Sequence, residues 1–125
     1  IMKYQAIVIG ASAGGMNALK QVLKPLPHNF AVPIAIVQHL SPNSASGLAD
    51  YLDKQCDIRV KEADEKERMS AGYAYVAPPN YHLLIEQDKS LSLTVDDKVC
   101  FARPSINVLF ETAAEAYGER LVGIV

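Results

Sequence analysis

Residues 5–23 read QAIVIGASAGGMNALKQVL, and this stretch decides the fold. Its first part, residues 5–9, is a short apolar run rich in β-branched side chains, which is typical of a buried strand. Its last part, residues 16–23, repeats apolar side chains at helical spacing and is followed by two prolines, which interrupt helices. Small residues at positions 10–15 separate the two parts. The stretch therefore predicts a strand, a tight turn and a helix in succession.

Four more apolar runs predict further strands. They lie at residues 34–38, 58–63, 73–76 and 121–125. Residues 82–86 and 91–95 flank a polar QDKS tetrapeptide and predict an antiparallel hairpin. The run LVGIV at residues 121–125 is apolar at successive positions, so we expect a central strand buried on both faces. Because a chain seldom ends in such a strand, we expect the protein to continue beyond Val125.

Two further helices are predicted from their caps and their apolar spacing. Asn43 or Ser44 is the expected N-cap of a helix that runs to about residue 55. Ser105 is the expected N-cap of a helix over residues 106–117, and a glycine follows at the position favoured after a helix. Strands that alternate with helices predict a doubly wound α/β fold. We expect a mostly parallel sheet with helices on both faces and the hairpin as an antiparallel insertion.

Two polar residues follow the first two strands at the point where each strand ends. Ser12 comes just after the first strand, and His39 comes just after the second. In an open α/β sheet, sites form at the carboxyl ends of the strands, and neighbouring strands lie about 4.8 Å apart. If these two strands are neighbours, the hydroxyl and the imidazole can meet within hydrogen-bond distance, as a nucleophile and its base require.

The residues around Ser12 match the G-x-S-x-G pattern of a nucleophile elbow. Gly10 and Gly14 would allow a sharp turn from strand to helix, which exposes the serine at the edge of the sheet. The backbone N–H groups of Ala13 and Gly14 and of the first helical turn lack partners within the helix, so they are candidates to hold an oxyanion. The simpler alternatives are that Ser12 is a helix N-cap and that His39 is an ordinary loop histidine.

Other residues are weaker candidates for chemistry. His28 lies in a proline-flanked loop and His82 opens the hairpin, so neither is expected to be catalytic. Cys56 and Cys100 share no motif and are expected to be reduced thiols. The sequence has neither the G-x-G-x-x-G fingerprint of dinucleotide binding nor the G-K-[ST] of a P-loop. We expect no cofactor and no metal.

Composition argues against several classes of partner. The 125 residues are 50% hydrophobic and 21% charged, which is enough apolar material for one domain with a core. The net charge of −2 and the scattered basic residues give no basic patch for nucleic acid or a membrane surface. No apolar run approaches the ~20 residues of a membrane helix, so we expect no membrane insertion.

Four stretches resemble the catalytic domain of chemotaxis protein-glutamate methylesterases (CheB-type) over nearly the whole chain. They are IVIGASAGGMNAL at residues 7–19, IAIVQHLSPNSASGLADYLDK at 34–54, RVKEADEKERMSAGYAYVAPPNYHLLI at 59–85 and RPSINVLFETAAEAYGERLVGIV at 103–125. The resemblance implies a doubly wound α/β domain with a Ser-His-Asp triad. It implies a serine hydrolase that removes methyl esters from chemoreceptor glutamates, releasing methanol, and that in many members also deamidates receptor glutamines.

The resemblance assigns roles to individual residues by motif. The nucleophile is Ser12 in GASAGG, and the base is His39 in the Q-H motif. Arg103 matches the arginine of the R-P-S motif and is expected near the receptor-binding cleft. The acid of the family lies in a G-x-G-x-D-G turn after the strand that begins here at Leu121. The third triad member, an aspartate, is therefore expected beyond Val125.

The resemblance also implies the setting of the protein and shows where this sequence departs from the family. Residues 1–125 would be an incomplete CheB-type methylesterase domain without the final strand and the acid-bearing turn, and with no receiver domain. The implied partners are methylated cytoplasmic helices of chemoreceptors, with phosphorelay proteins or a methyltransferase as further partners, in the cytoplasm. The residue after the nucleophile is often threonine but is Ala13 here, and residues 99–102 are less polar than usual.

Two other functions stay open at the level of sequence. The domain could keep the fold and serve as a non-catalytic CheB-like signalling or binding module. It could also be an unrelated small-molecule serine esterase of similar geometry. A protein without an aspartate after the Leu121 strand would favour the first, and rapid, receptor-independent cleavage of short acyl esters would favour the second.

Overall fold

The structure, a computed structural model, describes residues 3–12, 15–39, 47–97 and 103–125, with only the backbone described for residues 15 and 16. Strands and helices alternate along these ranges. The strands are β1 (Ala6–Ala11), β2 (Ile34–Gln38), β3 (Arg59–Glu62), β4 (Tyr73–Val76), β5 (His82–Ile85), β6 (Leu91–Thr94) and β7 (Leu121–Ile124). The helices are α1 (Gly15–Leu23), α2 (Leu48–Gln55) and α3 (Ile106–Tyr117), and a turn of 3-10 helix, Gly118–Arg120, joins α3 to β7.

Five of the strands form one sheet, whose hydrogen-bonded order is β3-β4-β2-β1-β7. Each neighbouring pair in this sheet is parallel. The other two strands, β5 and β6, form a separate antiparallel hairpin that lies between β4 and α3 in the chain. The predicted doubly wound α/β fold, with its parallel sheet and antiparallel insertion, is confirmed.

Both faces of the sheet are covered, because successive side chains of a strand point to opposite faces. Ile9, Ile34 and Ile36 pack with leucines of α1 and α2 on one face. Val8 and Val37 pack with α3 and the hairpin on the other face. Every residue of β2 is buried, as a central parallel strand with helices on both sides requires.

Most predicted boundaries agree with the structure. The second strand, the fourth strand and the helix after Ser105 have the predicted bounds. The first strand is longer than predicted, because it continues through Gly10 to Ala11. Gly10 is therefore part of the sheet and not of the turn.

The predicted start of the second helix is wrong. This helix, α2, begins at Leu48 with Gly47 at the N-cap, and no side chain caps it by a hydrogen bond. The expected caps Asn43 and Ser44 lie outside the described residues. The helix begins where its first buried leucine, Leu48, packs against the sheet, so packing and not cap propensity sets this boundary.

The last strand, β7, pairs with β1 on one side, and no described strand pairs with its other side. Ile124 is 36% exposed and Val125 is 94% exposed within residues 1–125. That residues 121–125 form a central strand buried on both faces stays a prediction.

The strand order opens a crevice at the carboxyl edge of the sheet. After β2 the chain enters α2, which lies on the same face as α1. After β4 it enters the hairpin and α3, which lie on the opposite face. Adjacent parallel strands whose connections leave to opposite faces form a crevice between their carboxyl ends, and ligands bind in such crevices. The residues that follow β2 and β4 therefore border a natural binding position.

Gly10 permits close contact between β1 and the start of α3. A Cβ atom at position 10 would lie 2.5 Å from Cγ2 of Ile106. Carbon atoms in favourable contact are about 3.5–4.0 Å apart, so a larger residue does not fit without movement. The first glycine of the G-x-S-x-G pattern thus serves helix packing, and not the sharp turn that we predicted for it.

We expect Gly10→Ala to lower the free energy of unfolding by about 1–3 kcal/mol, because β1 or α3 must move to admit the methyl group. Ile106→Ala removes the opposing atoms, so the double variant should be more stable than the sum of the two single effects predicts. Urea unfolding measures all three variants. Gly47→Ala is the matched control, since no atom of the described residues lies within 4 Å of its Cβ position. Equal losses at the two glycines, or strictly additive effects of the pair, would contradict this account.

Candidate active site

Ser12 and His39 follow two strands that pair side by side. The last paired residues of β1 and β2 are Ala11 and Gln38. One step further, the backbone N–H of His39 donates to the carbonyl oxygen of Ala11 at 2.9 Å. Ser12 and His39 are thus the first residues after the paired segments of two adjacent parallel strands. The expectation that these two strands are neighbours is confirmed.

A buried amide links the main chains of the two residues. Gln38 is 5% exposed. Its Nε2 donates to the carbonyl oxygen of Ser12 at 2.8 Å and to that of His39 at 3.3 Å. One side chain therefore holds the segment after β1 against the segment after β2.

The two candidate side chains differ in exposure. Ser12 is exposed and His39 is half-buried. Nε2 of His39 is shielded from solvent and has no hydrogen-bond partner within the part of the chain that the structure describes. No described group therefore occupies the hydrogen-bonding position of this nitrogen.

The chain after Ser12 leads directly into α1. Ala13 and Gly14 lie outside the described residues, so their expected oxyanion role stays a prediction. The helix begins at Gly15 and has no acidic residue in its first turn. The positive end of the helix dipole is therefore three residues after the serine in the sequence. No carboxylate in the first turn of α1 neutralises that positive end.

An open cavity of about 380 Å³ lies beside Ser12. Ser12 lines it together with apolar side chains from four elements, among them Ile9 of β1, Val22 of α1, Ile106 of α3 and Ile124 of β7. A hydroxyl at the rim of an apolar cavity can contact the polar part of a ligand while the apolar part of the same ligand is buried in the cavity.

Arg103 is fixed at the same edge of the sheet. Its Nε and Nη2 donate to Oδ1 of Asn80 at 3.2 and 3.0 Å, and its Nη1 donates to the carbonyl oxygens of Val95 and Asp96 at 2.8 and 3.2 Å. Asn80 lies in the segment after β4, the strand beside β2. Arg103 is thus attached to the segment after β4, at the edge where His39 follows β2. Its expected role near a receptor-binding cleft stays a prediction.

The two weaker histidine candidates lie elsewhere. His28 is exposed and belongs to the loop that enters β2 at the amino edge of the sheet. His82 is 1% exposed, and its Nε2 lies 2.9 Å from the carbonyl oxygen of Asp97. Neither follows β1 or β2 at the carboxyl edge.

Sequence reasoning missed Gln38 and Asn80. A polar residue at the end of an otherwise apolar buried strand is a usable signal, and it could have drawn attention to Gln38. Asn80 has no comparable signal, because its partner Arg103 is 23 residues away in the chain.

Cys56 lies on the wrong side of the sheet to act with Ser12. It follows α2 and precedes β3, so it belongs to the amino edge. It is a free thiol, and burial raises the pKa of this thiol above its ordinary value. A nucleophilic cysteine needs a lowered pKa, so Cys56 has the opposite property. Cys100 lies outside the described residues.

The described residues contain no group of three or more His, Cys, Asp or Glu side chains placed to hold a metal ion. Among the same residues, none of the helices combines the length and the apolar character needed to cross a membrane.

The fold and the site define a class: a doubly wound α/β protein with a serine and a histidine at the carboxyl ends of two adjacent strands. Comparison with protein families then makes the assignment specific. The sequence model of the family described as CheB methylesterase matches residues 7–125. The chain belongs to this family.

Individual relatives agree with the assignment. The chain is 54% identical over 124 residues to the putative protein-glutamate methylesterase/protein-glutamine glutaminase of Leptospira interrogans serogroup Icterohaemorrhagiae serovar copenhageni, covering 99% of this chain and 64% of that protein. It is 38% identical over 129 residues to the protein-glutamate methylesterase/protein-glutamine glutaminase of Trichodesmium erythraeum, covering 99% of this chain and 36% of that protein. The chain thus spans less than two thirds of the length of these relatives.

A solved structure has the same fold. The crystal structure of the Thermotoga maritima CheB methylesterase catalytic domain superposes with a TM-score of 0.90 at 34% sequence identity. The match covers 98% of this chain and 67% of that domain. Family membership sets aside the alternative of an unrelated small-molecule esterase.

We expect the Cys56 thiol to react with iodoacetamide more slowly than free cysteine at pH 8, because a raised pKa leaves less thiolate at that pH. The rate should keep rising at pH values where free cysteine has already reached its plateau. A Cys100→Ser variant isolates the signal of Cys56, and urea-unfolded protein gives the reference rate. Labelling of the folded protein as fast as the unfolded reference would show that the thiol is not shielded.

We expect Asn80→Ala to lower the free energy of unfolding by about 1 kcal/mol, because it removes a pair of charge-assisted hydrogen bonds to Arg103. Arg103→Ala should lower it more, because it removes that pair and the two bonds to the carbonyl oxygens of Val95 and Asp96. The double variant should lose clearly less than the sum of the two single losses. Denaturant unfolding of the four proteins gives the coupling. Arg120→Ala, at an exposed arginine of the 3-10 turn, is the control for loss of a guanidinium alone. Additive losses would contradict the pairing.

Proposed function

We propose that this chain carries the nucleophile and the base of a protein-glutamate methylesterase, with Ser12 and His39 in those roles. The observation that supports the proposal most is the register of β1 and β2, which ends at Ala11 and Gln38 and so places the two candidates one residue beyond the paired segments. The names of the relatives supply the chemistry, since they are called protein-glutamate methylesterases.

The first half of the proposed reaction forms an acyl-enzyme. His39 takes the proton of the Ser12 hydroxyl while Oγ attacks the carbonyl carbon of a glutamate methyl ester. The tetrahedral oxyanion is held by backbone N–H groups where α1 begins. As the bond to the methoxy group breaks, His39 returns the proton to the leaving oxygen, and methanol departs. The product is a glutamyl ester of Ser12.

The second half regenerates the enzyme. His39 takes a proton from water, the hydroxide attacks the same carbonyl carbon, and the bond to Ser12 Oγ breaks as His39 protonates that oxygen. The receptor leaves with its glutamate side chain as a free carboxylate, and the serine is restored. A glutamine substrate enters the same cycle and releases ammonia in place of methanol, which accounts for the second activity in the names of the relatives.

The surroundings of Ser12 suit a methyl-glutamate side chain. The serine is exposed, so a substrate carried on a protein surface can reach it. The adjoining apolar cavity can take methylene or methyl groups while the ester carbonyl stays at the rim. The steps given above use serine, histidine and backbone N–H groups, and none of them involves a metal or a cofactor.

The remaining parts of the proposal come from family membership. The substrate is a methylated cytoplasmic helix of a chemoreceptor, so the protein works in the cytoplasm and in chemotaxis signalling. Arg103, held in place by Asn80, is a candidate contact for that helix. An aspartate outside residues 1–125 is the proposed third member of the triad, where it would orient the imidazole of His39.

We expect Ser12→Ala and His39→Ala each to lower methanol release from methylated chemoreceptor by at least ~1,000-fold, because each removes an atom that the reaction needs. The measurement uses the full-length protein. Ser70→Ala and His28→Ala are matched controls at exposed positions and should keep the parental rate. Undiminished release by Ser12→Ala would refute its role as nucleophile. A full-length protein with no activity on any receptor would favour the non-catalytic signalling module instead.

A further inference from the structure

Gln38 is an unusual residue for its position. It ends a strand in which every residue is buried, and the other four residues of that strand are apolar. The side chain is itself 5% exposed. Its Nε2 has two acceptors, but its Oε1 is buried without a hydrogen-bond partner among the described residues. The amide is thus half satisfied.

The two halves of this amide have opposite effects on stability. Among the described residues Oε1 is an unpartnered acceptor, which an apolar side chain of similar shape would not have, but that side chain would leave the carbonyl oxygens of Ser12 and His39 without their donor. The two bonds that Nε2 does make are directed at the carbonyl oxygens of Ser12 and His39, the two candidate catalytic residues. The one polar side chain in this strand is therefore bound to the main chains of the nucleophile and the base together.

Ser12 and His39 lie just beyond the paired part of the two strands. The paired segments of β1 and β2 end at Ala11 and Gln38, and among the described residues the bond from the His39 N–H to the Ala11 carbonyl is the last backbone bond between them. Beyond that bond, the Gln38 amide is the described contact that joins the two segments. A shift of about 1 Å in a reacting group can lower a rate about 100-fold. A contact that fixes the distance between Ser12 and His39 can therefore affect the rate of the reaction.

We propose that Gln38 is a positioning residue, whose amide sets the distance between Ser12 and His39 by holding both of their carbonyl groups. The inference rests on the proposed function, because it assigns those two residues to catalysis. Gln38 touches no reacting atom. It acts through the main chain of Ser12 and His39, and its loss should slow the chemical step and leave substrate binding nearly intact.

Two substitutions test the amide in different ways. Gln38→Met keeps the length and volume of the side chain but donates no hydrogen bond. Gln38→Asn keeps the amide but is one methylene shorter, so it cannot span to both carbonyl oxygens. Gln87→Met, at an exposed residue of the hairpin turn, is the matched control. All are made in the full-length protein and compared with Ser12→Ala.

Three measurements separate positioning from a structural role. They are kcat and KM for methanol release from methylated receptor, the rate at which a fluorophosphonate probe labels Ser12, and the melting temperature. We expect both Gln38 variants to lower kcat and the labelling rate about 10- to 100-fold, with KM changed less than about threefold. The melting temperature should change by no more than about 5 °C, because the substitutions also remove or relocate an unsatisfied oxygen.

The outcomes are distinguishable. Parental kcat and labelling in either folded Gln38 variant would overturn the positioning role, as would a loss that appears in KM alone or a loss equal to that of Gln87→Met. If Gln38→Met does not fold, Gln38→Asn decides by the same criteria. Ser12→Ala tests the underlying function separately: if it remains active or is still labelled at the parental rate, the proposed nucleophile is wrong. If Ser12→Ala is inactive while the Gln38 variants are normal, only the present inference fails.

Discussion

The pairing of β1 with β2 is the constraint on which the rest of the site depends. Parallel strands in register end together, so the residues that follow them share one edge of the sheet. This pairing places Ser12 beside His39 although 26 residues separate Ser12 from Gln38, the last residue of β2. The helices contribute by covering both faces, which keeps the two strands central and buried. The candidate chemistry is thus a consequence of strand register, and any change that shifts the register would separate the two residues.

Small residues matter here for the space that they leave free. Gly10 lies within β1, where its missing side chain lets Ile106 of α3 approach the strand. This contact anchors the start of α3 against the strand that carries Ser12, and the same helix follows directly on Arg103 and Pro104. A pattern usually associated with a catalytic turn therefore also has a packing function. Packing at Gly10 and a catalytic role of Ser12 are compatible, because a firmly packed strand holds the main chain of the following serine in one orientation.

The site contains buried polar groups that are only partly satisfied. Oε1 of Gln38 and Nε2 of His39 both lack a partner among the described residues. Such groups lower stability, and each needs an explanation, of which a catalytic role is one. Nδ1 of His82 and Oγ1 of Thr94 in the hairpin are also buried and unpartnered among the described residues, so a missing partner does not by itself mark a functional position. The occurrence of two such groups in consecutive residues, Gln38 and His39, at the carboxyl edge agrees with family membership and with the relatives' names. It also distinguishes this edge from the amino edge, where Cys56 has a raised pKa and lacks the character of a nucleophile.

The sequence by itself determined the order and type of the elements, the α/β class and the two candidate residues, because apolar periodicity and G-x-S-x-G are local patterns. Two features depended on tertiary structure. The start of α2 was set by the packing of Leu48, and the use of Gly10 by Ile106. A glutamine at the end of an apolar strand is a local signal for Gln38 itself, but its bond to Ser12 and the Arg103–Asn80 bonds join segments distant in the chain, so no local pattern could reveal these partners. Local propensity fixes which residues form strands and helices, but only the packed sheet decides which side chains and main-chain groups meet.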